Sequence, residues 1–371
     1  MQIKRLLELL KISKFDKIFL FYEFLALIIY LAYTTPITSI LLFWPLGFWL
    51  VSKPSDWLAE GVNGFAYHFT LSEYLVGLLT SLTAISAELA ITIFSIYISF
   101  ITGSTEIITI AVLSLTFSMN FNLLLLGIIT RKTGKKILIV PEEVLAREIE
   151  VISWTVFTIF LLVFLNLLNF FTIGAESKRP ILLPQFGGVI LIITYFTYFF
   201  YMSKYIKTTH FERIKSDLTL NESIVITLIG AFSVTLGGEF ISDGILGILD
   251  NFRSIISTIG DPVIIVSIIV GIAGAAYDIA MNYILTSRGQ IIASLGNLVG
   301  SNIQIITLIF GIIALLVPVT TNLNVLYLLF LDGLSLWFIR QLVFDDRTLD
   351  AYEGEMLATL VAFGLILSLF L

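Results

Sequence analysis

The sequence predicts an all-α polytopic membrane protein: two inverted five-helix repeats, ten spans in all, with one extra N-terminal transmembrane helix. Three observations predict it. Of 371 residues 58% are hydrophobic and 13% charged, mean hydropathy is +1.00, and apolar runs repeatedly exceed the roughly 18 residues that suggest a membrane-spanning helix. The last ten apolar segments divide five and five about a polar linker, and an odd number per half inserts the second half upside down relative to the first. The basic residues also sort by side as that layout requires.

In chain order, residues 1–17 (MQIKRLLELLKISKFDK) are basic and amphipathic, and no small-residue cleavage site follows the next apolar run. They read as a cytoplasmic interfacial helix leading into a retained span. Spans are expected near 18–34, 37–68, 71–101, 106–130, 143–171, 182–206, 222–250, 262–287, 291–317, 322–344 and 355–371. Segment 37–68 contains Lys53-Pro54 and reads as one long helix, broken or tilted at that point. The chain therefore divides into the basic segment and extra helix (1–35), a first five-span repeat (36–206), a cytoplasmic linker (207–220) and an inverted second repeat (221–371).

Lysine and arginine positions fix the expected orientation. With the N-terminus in the cytoplasm, 17 of the 21 basic residues fall inside; Lys178, Arg179 and Arg253 fall outside and Lys53 lies within a span. The expectation is a multi-pass protein of the cell membrane with its N-terminus cytoplasmic and its C-terminus outside. The absence of cysteine excludes disulfides, thiolate metal sites and cysteine nucleophiles, and two histidines are too few for an imidazole-rich metal centre. The partners implied are a lipid bilayer and inorganic cations; nothing points to nucleic acid.

Two acids stand out against this background. Glu88 is the only charge between Glu73 and Glu106, and Asp278 the only one between Asp261 and Arg288. At about 1.5 Å per residue Glu88 lies roughly 22 and 27 Å of helix from its charged neighbours, deep in a hydrocarbon layer of about 30 Å. A carboxylate there costs at least about 2.5 kcal/mol, which makes it a candidate for an ion or proton path. The sequences ahead of the two acids share an acidic, glycine-spaced helix end, a short amphipathic turn and an apolar helix, as a weak inverted repeat would. One turn on, Thr92 shares the face of Glu88 and Asn282 that of Asp278, each a candidate neutral ligand.

After Asp278 the chain reads IAMNYILTSRGQIIASLGNLVGSNIQIITLIFGI. Gly296, Gly300 and Ser301 leave room for a close helix neighbour, and Asn297 and Asn302 offer amide oxygens of the kind Na⁺ or Ca²⁺ accepts beside carboxylates. This stretch resembles the second alpha-repeat of the cation/calcium exchanger superfamily, in which an acid on one helix meets a G-N-x-x-G-S-N-I helix. SDWLAEGVNGFAYHF, PQFGGVILIITYFTYFFY and DAYEGEMLATLVAFGLILSLFL are similar to that family's first, fifth and tenth helices. The resemblance covers roughly 37–371 and implies a membrane antiporter, not an enzyme, without a cofactor. It implies exchange of Ca²⁺ or another divalent cation against Na⁺ or H⁺ by alternating access at mid-membrane. Glu88 and Asp278 then take the place of the family's two ion-binding glutamates, with Ser301, Asn302, Asn297, Asn282, Thr92 and either Ser118 or Asn120 as neutral ligands.

The chain also departs from the family pattern. Where G-T-S-L-P-E precedes each acid in the family, this chain has T-A-I-S-A-E and A-G-A-A-Y-D, so Ala87 and Tyr277 replace two prolines that would free carbonyl oxygens. The first repeat lacks the G-N-x-x-G-S-N motif and offers only Ser114, Ser118, Asn120 and Asn122. Matching Gly127 to Gly311 sets Ser118 opposite Asn302, whereas matching asparagines selects Asn120. Two other readings follow: a non-transporting or substrate-altered member of the exchanger fold, and an intramembrane aspartyl protease using Tyr277-Asp278 with Asp261.

Overall fold

The structure, a computed structural model, describes residues 12–69, 81–82, 85–133, 138–139, 142–173, 181–182, 185–205, 217–258, 260–287, 291–317, 320–321, 323–346 and 348–369. Its helices are α1 (Lys14–Ala32), α2 (Pro36–His68), α3 (Ser86–Thr102), α4 (Thr105–Thr133), α5 (Glu142–Ile173), α6 (Gln185–Tyr205), α7 (Leu220–Ile256), α8 (Pro262–Ser287), α9 (Ile291–Gln304), α10 (Phe310–Leu316), α11 (Leu323–Asp346) and α12 (Ala351–Ser368). A π turn over Ile305–Ile309 joins α9 to α10 in one rod. Among the described residues seven stretches are long and apolar enough to cross a membrane: those of α2, α4, α5, α7, the α9–α10 rod, α11 and α12. Shorter apolar stretches lie in α3, α6 and α8. The basic N-terminal segment through residue 11 and linker residues 207–216 lie outside the described residues.

Local chemistry sets the helix ends. Ser13, Thr35 and Asp350 cap α1, α2 and α12, each closing a reciprocal capping box with the residue three positions on, and Pro36 starts α2 where its missing N–H costs nothing. Gly103, at φ 71°, ends α3 in the left-handed conformation that glycine adopts without strain. α2 runs as one long helix through both Pro45 and Pro54, the unbroken form of the two that its sequence allows.

Close glycine contacts organise the bundle. α2 and α7 run antiparallel along most of their lengths: a Cβ on Gly47 would sit 3.0 Å from the Gly237 carbonyl oxygen, and one on Gly230 2.9 Å from that of Pro54. Gly238 turns instead to Ala90 of α3. The glycines of 237–247 are therefore spent on packing two different helices against α7. α1 docks on α2 where the Trp49 indole donates to Asp16 (3.0 Å) and Phe19 stacks on the same ring.

The most enclosed stretches are those of α4 and the α9–α10 rod, with 78% and 83% of residues buried. α4 packs against α3, α8, α9, α11 and α12, so its polar residues meet several elements at once. Two minimal antiparallel ladders, absent from the all-helical expectation, tie helix ends together: β1 (Leu138–Ile139) pairs with β4 (Thr348–Leu349), and β2 (Ile181–Leu182) with β3 (Thr320–Thr321).

Candidate cation site

Glu88 lies in the first turn of α3, although no proline stands at 87 to force a helix start there. Asp278 sits inside an unbroken α8. Both are almost fully buried, 4% and 1% exposed. They meet at α4: the Ser118 hydroxyl donates to Glu88 Oε1 (3.0 Å) and the Asn122 amide to Asp278 Oδ2 (2.8 Å). Ser118 and Asn122 are one helical turn apart, with Cβ atoms about 6 Å from each other, so the two carboxyls occupy adjacent positions along one helix. Gly274, one turn before Asp278, lets α3 come close; a Cβ there would lie 3.2 Å from Glu88 Cγ.

Asp278 has a dense set of donors. Besides Asn122, the Asn297 amide (3.1 Å) and the Ser301 hydroxyl (3.4 Å) donate to Oδ1 from α9. The motif helix thus delivers Asn297 and Ser301 to the acid. Asn302 is held a little apart: its Oδ1 accepts weakly from Asn122 (3.5 Å) and its amide donates to the Met119 carbonyl (3.3 Å).

Three other residues that the sequence puts forward as ligands fall elsewhere. Asn282 donates to the backbone carbonyl of Asp278 and accepts from Ser294, so it braces α8 against α9 without touching the carboxyl. Asn120 donates to the Thr116 carbonyl on its own helix and, two residues from both Ser118 and Asn122, points to the opposite side of α4. Thr92 is buried without a described bond to either acid. In its hydrogen bonding Ser118 stands to Glu88 as Ser301 stands to Asp278. Asn122 is not among the ligands that the sequence selects, and its spacing of one turn after Ser118 is the signal that finds it.

Three oxygens at this junction are buried and accept no hydrogen bond: Glu88 Oε2, Asn122 Oδ1 and Asn297 Oδ1. Unpaired oxygens in a dry interior are costly, and a cation satisfies them while offsetting two negative charges. Among the described residues no group of three or more His, Asp or Glu that could hold a metal ion occurs, so a cation here would have to draw on two carboxylates and neutral amide or hydroxyl oxygens. A narrow crevice beside Glu88 is lined by Ile91, Ser114, Leu115, Val270 and Gly271, residues toward the Gly103 and Asp261 ends of their helices. That side is also tied by an Arg253–Glu106 ion pair. The protease geometry is not present. Asp261 is exposed at the start of α8, where it accepts from the Val263 amide, and lies about 25 Å of helix from Asp278.

Asn122→Ala is expected to weaken divalent-cation binding by about tenfold or more, because it removes a hydrogen bond to a charged group and one orphan oxygen together. Asn120→Ala, on the far face of α4, should stay within about threefold. Calorimetric titration of the purified variants with Ca²⁺ checks the pair, and equal losses would contradict the assignment of faces.

Two buried acids thus meet amide and hydroxyl donors on crossing helices of a bundle that has, among the described residues, seven stretches long and apolar enough to cross a membrane. Residues 222–371 match the sodium/calcium exchanger protein family. Across nearly the whole chain the fold is similar to the crystal structure of the H⁺/Ca²⁺ exchanger CAX, with TM-score 0.68 and 16% identity over 97% of this chain and 94% of that one. It is also similar to the sodium-calcium exchanger NCX_Mj soaked with 2.5 mM Na⁺ and 0.1 mM Sr²⁺, with TM-score 0.58 and 20% identity over 89% and 98%. The same exchanger without Na⁺ and Ca²⁺ gives TM-score 0.57 and 19% identity over 88% and 97%. No match is found among curated protein sequences. The family match is confined to the second half of the chain, while the likeness of fold to these exchangers extends over nearly all of it.

Proposed function

We propose that this chain is a cation antiporter that exchanges Ca²⁺ or another divalent cation against Na⁺ or H⁺ by alternating access at the Glu88–Asp278 centre. The observation that carries the reading is the cluster of buried oxygens without donors, Glu88 Oε2, Asn122 Oδ1 and Asn297 Oδ1, beside two carboxyls that form no ion pair with a basic residue among the described residues. The proteins of similar fold exchange H⁺ or Na⁺ for Ca²⁺, as their names state.

Ten spans in two inverted repeats, with α1 as an addition, form part of the same reading. Paired contacts support that symmetry. Gly127 of α4 meets Gly354 and Ala358 of α12, and Gly311 of α10 meets Gly188 of α6. The ladders match these pairs: β1–β4 joins the end of α4 to the start of α12, and β2–β3 joins the start of α6 to the end of α10. The Arg131–Glu355 and Arg253–Glu106 pairs join helix ends that the positive-inside layout assigns to the cytoplasmic and outer sides respectively. The proposed orientation keeps the N-terminus inside and the C-terminus outside.

Ca²⁺ efflux from proteoliposomes under separately imposed Na⁺ and H⁺ gradients tests the function, and no flux under either gradient overturns it. The ligand supply bears on the coupling ion. Without proline at 277, the Ala273 carbonyl stays in the α8 ladder, and a Na⁺ site has fewer neutral oxygens to draw on. Ala87→Pro with Tyr277→Pro is therefore expected to raise the dependence of efflux on Na⁺ more than its dependence on the proton gradient. A steep Na⁺ dependence without response to pH in the unaltered protein would contradict this expectation.

A further inference from the structure

A third acid lies deep in the bundle and takes no part in the site described above. Asp332, on α11, is fully buried, and neither carboxyl oxygen has a hydrogen-bond partner; the Ser335 hydroxyl, one turn on, is equally buried and unpaired. On α11 the Tyr327 hydroxyl donates to the Gly364 carbonyl and Leu331 packs on Gly364, so that side faces α12. Gly333 packs on Ile159 and Phe160, and Phe330 meets Phe160, so a second side faces α5. At 100° per residue Asp332 falls in the remaining sector, with the buried Val325, Leu328, Ser335 and Ile339, and the third helix packed on α11 is α4.

Contacts along α12 give its depth. Gly354 and Ala358 lie against Gly127 of α4, while Gly364 lies against Leu331. The intervening six to ten residues rise about 9–15 Å, which sets Leu331 and Asp332 level with roughly residues 117–121 of α4. Asp332 thus shares the depth of the Glu88–Asp278 centre, on a different helix packed against α4.

Among the described side chains, the titratable groups on the helices packed around α11 lie toward helix ends: Glu106, Arg131 and Lys132 on α4, Glu150 on α5, and Tyr352, Glu353 and Glu355 on α12, with Tyr327 and Arg340 on α11 itself. None stands at the depth of Asp332. Glu88 and Asp278 receive donors from Ser118, Asn122, Asn297 and Ser301, whereas Asp332 receives none. Three oxygens on α11 fall short of the six to eight that Ca²⁺ takes. A proton needs one, and it turns the carboxyl into a donor for a neighbouring amide or hydroxyl oxygen.

We propose that Asp332 is a second proton-binding site of this chain, separate from the Glu88–Asp278 pair, and that it exchanges its proton with the aqueous phase. The test is infrared absorption of the purified full-length Glu23→Gln/Glu88→Gln/Asp278→Asn variant in acid and alkaline buffer, where neither the central pair nor Glu23, a buried acid of α1 without a hydrogen bond, contributes. A carboxylic-acid carbonyl band from a site shielded from solvent is expected in acid, lost in alkali, and absent when Asp332→Asn is added. Asp332→Glu, which keeps an acid, should retain the band at a shifted position and serves if the Asn variant does not fold. A band unchanged in position and intensity by both substitutions, no such band, or a band that persists in alkali overturns the proposal. The readout requires no ion flux, so its failure and that of the antiport reading are separable.

Discussion

Asp278→Asn is expected to lower divalent-cation flux into proteoliposomes by about 100-fold or more, with helical content and elution in detergent unchanged. The side chain keeps its shape but loses its charge, and one of the two oxygens that now accept from Asn122, Asn297 and Ser301 becomes a donor facing donors. Losing a charge-assisted contact to a buried cation and gaining an opposed pair amounts to about 3 kcal/mol, or about two orders of magnitude in affinity. Glu88→Gln should also abolish flux, by a different route. Its remaining oxygen still accepts from Ser118, but the free Oε2 and the charge are gone. Fold and bilayer insertion should survive in both variants, because removing a membrane-buried charge relieves a cost. Full flux in both variants would place the ion path elsewhere.

Gly127→Val is expected to have the largest effect on stability. A Cβ at 127 would stand 2.7 Å from the Ala358 amide nitrogen and 2.8 Å from the Gly354 carbonyl oxygen, both backbone atoms that no rotamer change moves away. α4 and α12 must separate, and overpacking of this kind costs about 1–3 kcal/mol. The same displacement moves Ser118 and Asn122, so Ca²⁺ affinity should fall along with the melting temperature in detergent. Gly187→Ala is the control: its added Cβ would meet only Leu162 Cδ2, at 3.8 Å. Equal melting temperatures for the two variants would contradict the close approach of α4 and α12.

Some of the centre is legible in the sequence because its signals are local. Glu88 and Asp278 show themselves by the length of uncharged chain around them, and Asn297 and Ser301 by the compact motif that carries them. Asn122 escapes selection because the first repeat has lost that motif, and among four polar residues on one helix only the neighbours decide which face is inward. Asn282 and Thr92 illustrate the converse error: sharing a helix face with an acid does not bring a side chain to its carboxyl, since Asn282 bonds the backbone instead. Asp332 is inconspicuous in the sequence because Arg340 lies only about 12 Å of helix away and no matching acid marks the other half.

Hydropathy, charge spacing and side-chain size act along the chain, so the order of residues is enough to establish a helical membrane protein with long apolar segments, two deeply placed acids and a small-residue motif helix. Three further facts exist only once the helices are packed: α3 and α8 meet on α4, Ser118 and Asn122 rather than Asn120 donate to the acids, and Asp332 stands buried and unpaired on α11. The physical reason is that a buried polar group is defined by its partners. Those partners lie on other helices, brought within 3 Å by glycine contacts between elements far apart in sequence.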